Sequence, residues 1–201
     1  MNVHELEARL GHRFSRSSLL EQALTHRSFG TPHNERLEYL GDSVLNCLVA
    51  ALLFDAYPDL PEGDLSRMRA NMVNQNALAQ IASTLQLGDV LRLGEGELKS
   101  GGAMRGSTLS DALEALIGAI FLDAGFERAQ QVVRTLFLPM LRDHAELIPG
   151  KDAKTRLQEW LQARHLPLPK YHVSRIEGAA HQQKFFVECH IESADLSTSG
   201  S

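Results

Sequence analysis

The stretch Asn34-Glu35-Arg36-Leu37-Glu38-Tyr39-Leu40-Gly41-Asp42-Ser43-Val44-Leu45 opens the longest helical pattern in the chain, one that runs to Tyr57 and is closed by Pro58. On a helix advancing about 100° per residue, Glu35, Glu38 and Asp42 fall within about 60° of one another, and Leu37, Leu40, Val44 and Leu48 lie on the other side. One side suits a core and the other is a row of carboxylates. A second helical pattern, Ser107 to Ala124, repeats the arrangement, with Asp111 and Glu114 as an i,i+3 pair opposite Leu113, Leu116, Ile117 and Ile120. Like charges at these spacings cost helix stability. Either the rows are two solvated faces, or the helices pack side by side and the carboxylates converge. A converged cluster repels itself unless a divalent cation neutralises it. Hard oxygen ligands without clustered Cys or His favour Mg²⁺ or Mn²⁺ over Zn²⁺, the ions of metal-assisted phosphodiester hydrolysis.

Outward from these rows, residues 1–148 read as an all-helical domain. The expected helices are Val3 to Leu10, Ser17 to Leu24 (with a Ser cap and a first-turn Glu), Asn34 to Tyr57, Pro61 to Leu87, Ser107 to Ala124 and Phe126 to Leu141. The glycines between Gly94 and Gly106 predict a loop. No strand precedes them and no Gly-Lys-Ser/Thr follows, so they are not a phosphate-binding loop. A Pro/Gly break around Pro149-Gly150 marks a linker over 149–152. Residues 153–201 form a second, smaller module. It has a helix from Ala153 to Arg164, with Thr155, Gln158, Glu159 and Gln162 on one face and Leu157, Trp160 and Leu161 on the other. Two strands follow, Tyr171 to Ile176 and Lys184 to Ile191, the second with Phe185, Val187, Cys189 and Ile191 in period-2 alternation. Ser197 to Ser201 reads as a polar stub.

Composition narrows the class. The 201 residues are 43% hydrophobic and 22% charged, which excludes disorder as the main state. No uninterrupted apolar run reaches the ~20 residues a bilayer requires, and no secretory signal is visible at the N-terminus. A soluble, cytoplasmic protein without a membrane partner is expected, with Cys47 and Cys189 as buried free thiols. Residues 1–150 hold 13 basic and 19 acidic side chains (net −6), and residues 151–201 hold 7 and 6 (net +1). Charge alone, lacking a basic patch, would not suggest nucleic acid.

Motif content reverses that reading. The stretch 34–45 resembles the signature of the ribonuclease III family. So do Leu24-Thr25-His26-Arg27-Ser28, Glu62-Gly63-Asp64-Leu65-Ser66, Gly96-Glu97-Leu98-Lys99-Ser100-Gly101-Gly102 and Asp111-Ala112-Leu113-Glu114-Ala115-Leu116-Ile117-Gly118, in the family's order. Residues from Lys151 onward resemble the double-stranded-RNA-binding domain that follows the nuclease domain in bacterial members. The resemblance implies a mainly α fold, an all-helical endonuclease domain with a small α/β module of α-β-β-β-α type. The chain stops before that module's third strand and final helix, so the module is expected to be truncated, partly ordered and a minor contributor to RNA affinity.

Carried over residue by residue, the resemblance implies that Glu38, Asp42, Asp111 and Glu114 bind catalytic Mg²⁺ (Mn²⁺ substituting), with Asp42 and Glu114 the least replaceable. Glu35 and Glu62 would sit at the site's edge, although an acidic residue in a helix's first turn is also ordinary dipole complement. Thr155, Gln158, Glu159 and His181 would face RNA minor grooves. Tyr39 would either lie over its own subunit or anchor a homodimer in a partner pocket. The implied activity is cleavage of double-stranded RNA to 5′-phosphate and 3′-hydroxyl ends with short 3′ overhangs, in processing of ribosomal RNA precursors and structured messenger RNA, with no small-molecule cofactor. A non-cleaving double-stranded-RNA-binding protein on the same fold, or an acidic helical scaffold, is the alternative. One departure stands out. The family often has Arg-Glu-Ser where this chain has Arg105-Gly106-Ser107. His26 is expected to pack and hydrogen-bond rather than act as a base.

Overall fold

Asn2 starts the first helix, α1 (Val3–Leu10), with a capping box, its side chain accepting the Glu5 backbone N–H while the Glu5 carboxylate accepts the Asn2 N–H. The computed structural model describes residues 2–146, 153–162, 164–177, 184–191 and 196–200. The chain divides into two compact units, Met1–His144 and Ala145–Ser201. The expected linker at 149–152 and His181 lie outside the described residues.

Helix α2 (Ser17–Ala23) corrects one expectation. Arg16 rather than Ser17 holds the N-cap position, no side chain caps the helix locally, and its first turn carries no acid. The approach to the helix is fixed from a distance instead, since Asp123 accepts the Ser15 and Arg16 backbone N–H groups at 3.0 Å each. Helix α3 (Glu35–Ala56) follows the signature stretch as expected. The single helix expected over 61–87 is two, α4 (Glu62–Met72) and α5 (Gln75–Thr84). The break comes at Asn74, whose side chain accepts the Ala77 N–H at 2.9 Å and so restarts the helix. The Gly-rich segment is not all loop. It contains α6 (Glu95–Lys99), supported by a Lys99–Glu95 i,i+4 pair, and a 3₁₀ turn at Gly102–Met104. Helix α7 (Gly106–Glu146) is interrupted at Gly125 (φ 82°, ψ −179°), the stop that the sequence suggests between its two halves.

Leu45, Leu48, Leu53, Met72, Leu113, Leu116, Ile117 and Phe137 are among the fully buried side chains of one core. By length and composition α3 could cross a bilayer, yet its Leu37, Leu45, Leu48, Val49 and Leu53 are spent on this core. Cys47, expected to be buried, is exposed, because it lies on the side of α3 away from those leucines.

In the second unit, α8 (Ala153–Gln162) precedes a three-stranded antiparallel sheet of β1 (Lys170–Glu177), β2 (Lys184–Ile191) and β3 (Leu196–Gly200) in order β1-β2-β3. The supposed polar stub is therefore the third strand, paired in register from Val187↔Gly200 to Ile191↔Leu196. Serine and threonine suit an edge strand that pairs through its backbone. Between β1 and β2 the register slips at Ser174, a bulge between the Val173↔Val187 and Arg175↔Phe186 pairs. Leu161 is fully buried as expected, whereas Trp160 is 50% exposed and carries the Arg164 guanidinium over its ring at 4.1 Å. That cation–π contact holds the indole at the surface.

Candidate metal centre

Helices α3 and α7 cross where each carries a glycine. A β-carbon on Gly41 would stand 1.8 Å from the Glu114 carbonyl oxygen, and one on Gly118 would stand 2.3 Å from the Leu37 carbonyl oxygen. Only hydrogen fits at either position, so the two backbones touch. This contact sets the acidic side of α3, around Gly41, against the acidic side of α7, in the turns before Gly118. The crossing decides between the two readings of the acidic rows, for they converge.

One carboxylate oxygen from each of Glu38, Asp111 and Glu114 lies within 4.8 Å of the other two. All three side chains are half-buried. Asp42, expected in the same group, is exposed and stands outside it, with its Oδ1 accepting from Asn46 Nδ2 at 2.9 Å. Its charge nonetheless reaches both Glu38 and Glu114. Glu35 is also outside the group and pairs with Arg27 Nη1 at 3.2 Å. Glu62 begins α4, accepts from Ser66 Oγ at 2.7 Å, and lines a separate recess of about 260 Å³ with Phe54, Leu65 and Arg69.

The cluster is electrostatically strained. Burial, then the charges of Asp42, Asp111 and Glu38, push the Glu114 carboxyl up to about 7. Burial, reinforced by Asp111, Glu35 and Asp42, also raises Glu38, with Arg27 opposing. Burial raises Asp111 against the pull of the Ser110 hydroxyl, His26 and Arg27. An all-carboxylate set at ion-sharing distance, with one member driven toward protonation, fits a hard divalent cation.

Two contributors were not legible from motif spacing. One is the Gly41–Gly118 contact, since glycine inside a helix reads as a weak point rather than a crossing, though both glycines lie inside the motif stretches. The nearness of the 25–28 segment to the cluster is the other. His26 N–H donates to the Arg92 carbonyl (2.9 Å) and Asn34 N–H to the Thr25 carbonyl (2.9 Å), which fixes that turn beside the start of α3. Thr155, Gln158 and Glu159 belong to α8, and Gln158 is half-buried.

The Ribonuclease-III-like family pattern matches residues 16–141. The chain is 63% identical to ribonuclease 3 of Thiobacillus denitrificans over all of this chain and 91% of that protein. It is 58% identical to ribonuclease 3 of Dechloromonas aromatica, over all of this chain and 90% of that one. Among solved structures it resembles the ribonuclease III nuclease domain of Campylobacter jejuni, described for flexibility in a region involved in dimer formation (TM-score 0.67, 46% identity, 69% of this chain and 97% of that one). It also resembles Dicer from Pichia stipitis (TM-score 0.53, 27% identity, 92% and 86%).

Proposed function

The chain belongs to the ribonuclease III family and is an endoribonuclease, and from that premise we propose that it hydrolyses double-stranded RNA with Mg²⁺ held by Glu38, Asp42, Asp111 and Glu114. The convergence of three half-buried carboxylates at the Gly41–Gly118 crossing carries this reading. Asp42 completes the set by giving up its hydrogen bond to Asn46. When bound, the metal supplies an activated water and charge stabilisation at the phosphate. Glu35 borders the site, paired with Arg27, and Glu62, bonded to Ser66 in its own recess, stands at the site's edge in this reading. Products carry 5′-phosphate and 3′-hydroxyl ends with short 3′ overhangs, and substrates are ribosomal RNA precursors and structured messenger RNA in the cytoplasm. Thr155, Gln158, Glu159 and His181 contact duplex minor grooves through their shape and 2′-hydroxyls.

The active form is a homodimer. Tyr39 is 81% exposed and Phe54 is 70% exposed on the side of α3 that the core leaves open, with Cys47 and Ala50 between them in helical spacing. A ring so bare within its own chain argues against packing on its own subunit and for an anchor on a second copy. Tyr39→Ala should weaken the dimer about 30-fold, as a hot-spot loss near 2 kcal/mol implies. Sedimentation at falling concentration reads this, and an unchanged dimerisation constant removes Tyr39 from the interface.

Incubation with long duplex RNA, single-stranded RNA and duplex DNA, with and without Mg²⁺, tests the function. Metal-dependent cutting of duplex RNA alone is the expected result. Binding without cutting would favour the non-cleaving alternative.

A further inference from the structure

A protein whose nuclease unit is acidic must still hold a polyanion at its most acidic point. Among the described residues, Arg27 is a cation whose charge reaches the cluster from both sides, since it opposes the upward shift of Glu38 on α3 and of Asp111 on α7. Among the described residues its side chain, 71% exposed, is paired with Glu35, itself 46% exposed, at 3.2 Å. An exposed pair of this kind adds little to stability, so holding α3 is a weak reason for the arginine to be there.

The segment that carries it is built rigidly. Thr25 bridges Arg92 in parallel, Arg92 N–H donates to the Leu24 carbonyl at 2.8 Å, and His26 N–H donates to the Arg92 carbonyl at 2.9 Å. Gly94 N–H donates to Ser28 Oγ at 3.0 Å, and a β-carbon on Gly94 would stand 2.4 Å from the Ser28 carbonyl oxygen. Ser28 N–H donates to His26 Nδ1 at 3.2 Å, which commits the imidazole to the turn. The Arg92 guanidinium covers Phe29 at 4.5 Å. The residues flanking Arg27 are thus fastened, while its own guanidinium has an exchangeable surface partner. A guanidinium keeps its charge whichever anion it meets and is weakly hydrated, so it moves from a carboxylate to a phosphate at small cost.

We propose that Arg27 is a substrate-positioning residue whose guanidinium leaves Glu35 on RNA binding and grips a backbone phosphate beside the carboxylate cluster. This rests on the duplex-RNA nuclease reading above. The contact is made equally in the bound substrate and the transition state, so it acts on KM and leaves kcat in place. Charge, rather than the particular pair with Glu35, is what matters.

The test is steady-state cleavage of a duplex RNA in Mg²⁺ by the full chain and three variants, with melting temperatures measured alongside. Arg27→Ala should raise KM about 10-fold with kcat within about twofold, and should flatten the log–log salt dependence of kcat/KM by about one. Arg27→Lys should restore most of the KM. Arg134→Ala, which removes the same charge from the second half of α7, should leave KM unchanged. The proposal is overturned by an Arg27→Ala enzyme with wild-type KM and salt slope, by a kcat loss at constant KM, by failure of Lys to rescue, or by an equal effect at Arg134. If Arg27→Ala does not fold, the Arg27→Lys and Arg27→Gln pair carries the same comparison. A wild-type chain that does not cut duplex RNA would instead sink the functional reading, and this proposal with it.

Discussion

Glu114 and Asp123 lie on the same helix, nine positions apart, and their surroundings are opposite. The Asp123 side chain is shielded from solvent, yet its carboxyl is held below the usual range. Burial pushes it up, but the N–H groups of Ser15 and Arg16, the His12 ring and the Arg16 side chain outweigh that. His12 Nε2 stands 3.1 Å from Asp123 Oδ2, and Arg128 Nε donates to His12 Nδ1 at 3.4 Å, so the imidazole is itself oriented. Glu114 has no such donors among the described residues. It faces three other carboxylates and is pushed up to about 7. A satisfied carboxylate ties α7 to the turn before α2, whereas an unsatisfied one, in the function proposed above, is neutralised by a cation. On a single element the two carboxylates thus have opposite electrostatic surroundings.

The largest expected effect follows from the unsatisfied member. Glu114→Gln keeps the shape and removes a ligand charge, so the cleavage rate should fall about 1000-fold, some 4 kcal/mol of barrier, in a protein that remains folded. Single-turnover assays on duplex RNA read this, and a rate near wild type removes Glu114 from the site. Next comes the crossing that creates the cluster. Gly118→Ala forces a β-carbon into the Leu37 carbonyl and should cost about 3 kcal/mol of stability, measurable by urea unfolding. Loss of less than about 1 kcal/mol would mean that the helices separate readily and the cluster is not fixed by them.

The satisfied member gives the opposite signature. Asp123→Asn places an amide donor against backbone donors and should cost about 2–3 kcal/mol without moving the metal dependence of the folded enzyme. A changed metal requirement would show the two regions to be coupled.

The smallest effect lies in the pH dependence. Glu114 has a folded pKa near 7 against an ordinary 4.5, so between those values the folded state binds more protons than the unfolded. Metal-free stability from this group is therefore full below about pH 4.5 and is lost as pH rises toward 7. After allowance for solvent screening of a half-buried group, the loss should be about 1–2 kcal/mol. Asp123, with its lowered pKa, contributes in the other direction, its share present at neutral pH and lost as acid protonates it. Chemical denaturation of Glu114→Gln and wild type at pH 5 and pH 8 separates these slopes. A wild type that gains on the variant as pH rises would reverse the assignment.

The acidic rows on α3 and α7, their apolar opposite faces and the stop at Gly125 were legible in the sequence because helical period and charge are local properties. The break at Asn74, the helix inside the Gly-rich segment and the entry to α2 were less so, because each depends on particular side-chain contacts, in the last case with a residue more than a hundred positions away. The strand at 196–200 escaped because a Ser/Thr edge strand carries no apolar alternation. Trp160 read as core from its helical face, but the spacing is blind to the arginine one turn later. At the site, the residue types were all there to be read. What placed three of them together, and left Asp42 turned toward Asn46, was a backbone contact between two glycines.

If the three carboxylates at this crossing are held in mutual repulsion for a cation to relieve, thermal melting of wild type and Glu114→Gln at pH 8, each with chelator and with Mg²⁺, will show it. The metal-free variant should melt above the metal-free wild type, and Mg²⁺ should raise the wild type while leaving the variant nearly unmoved. A variant that melts lower than wild type without metal, and responds to Mg²⁺ equally, would mean that the cluster stores no such repulsion.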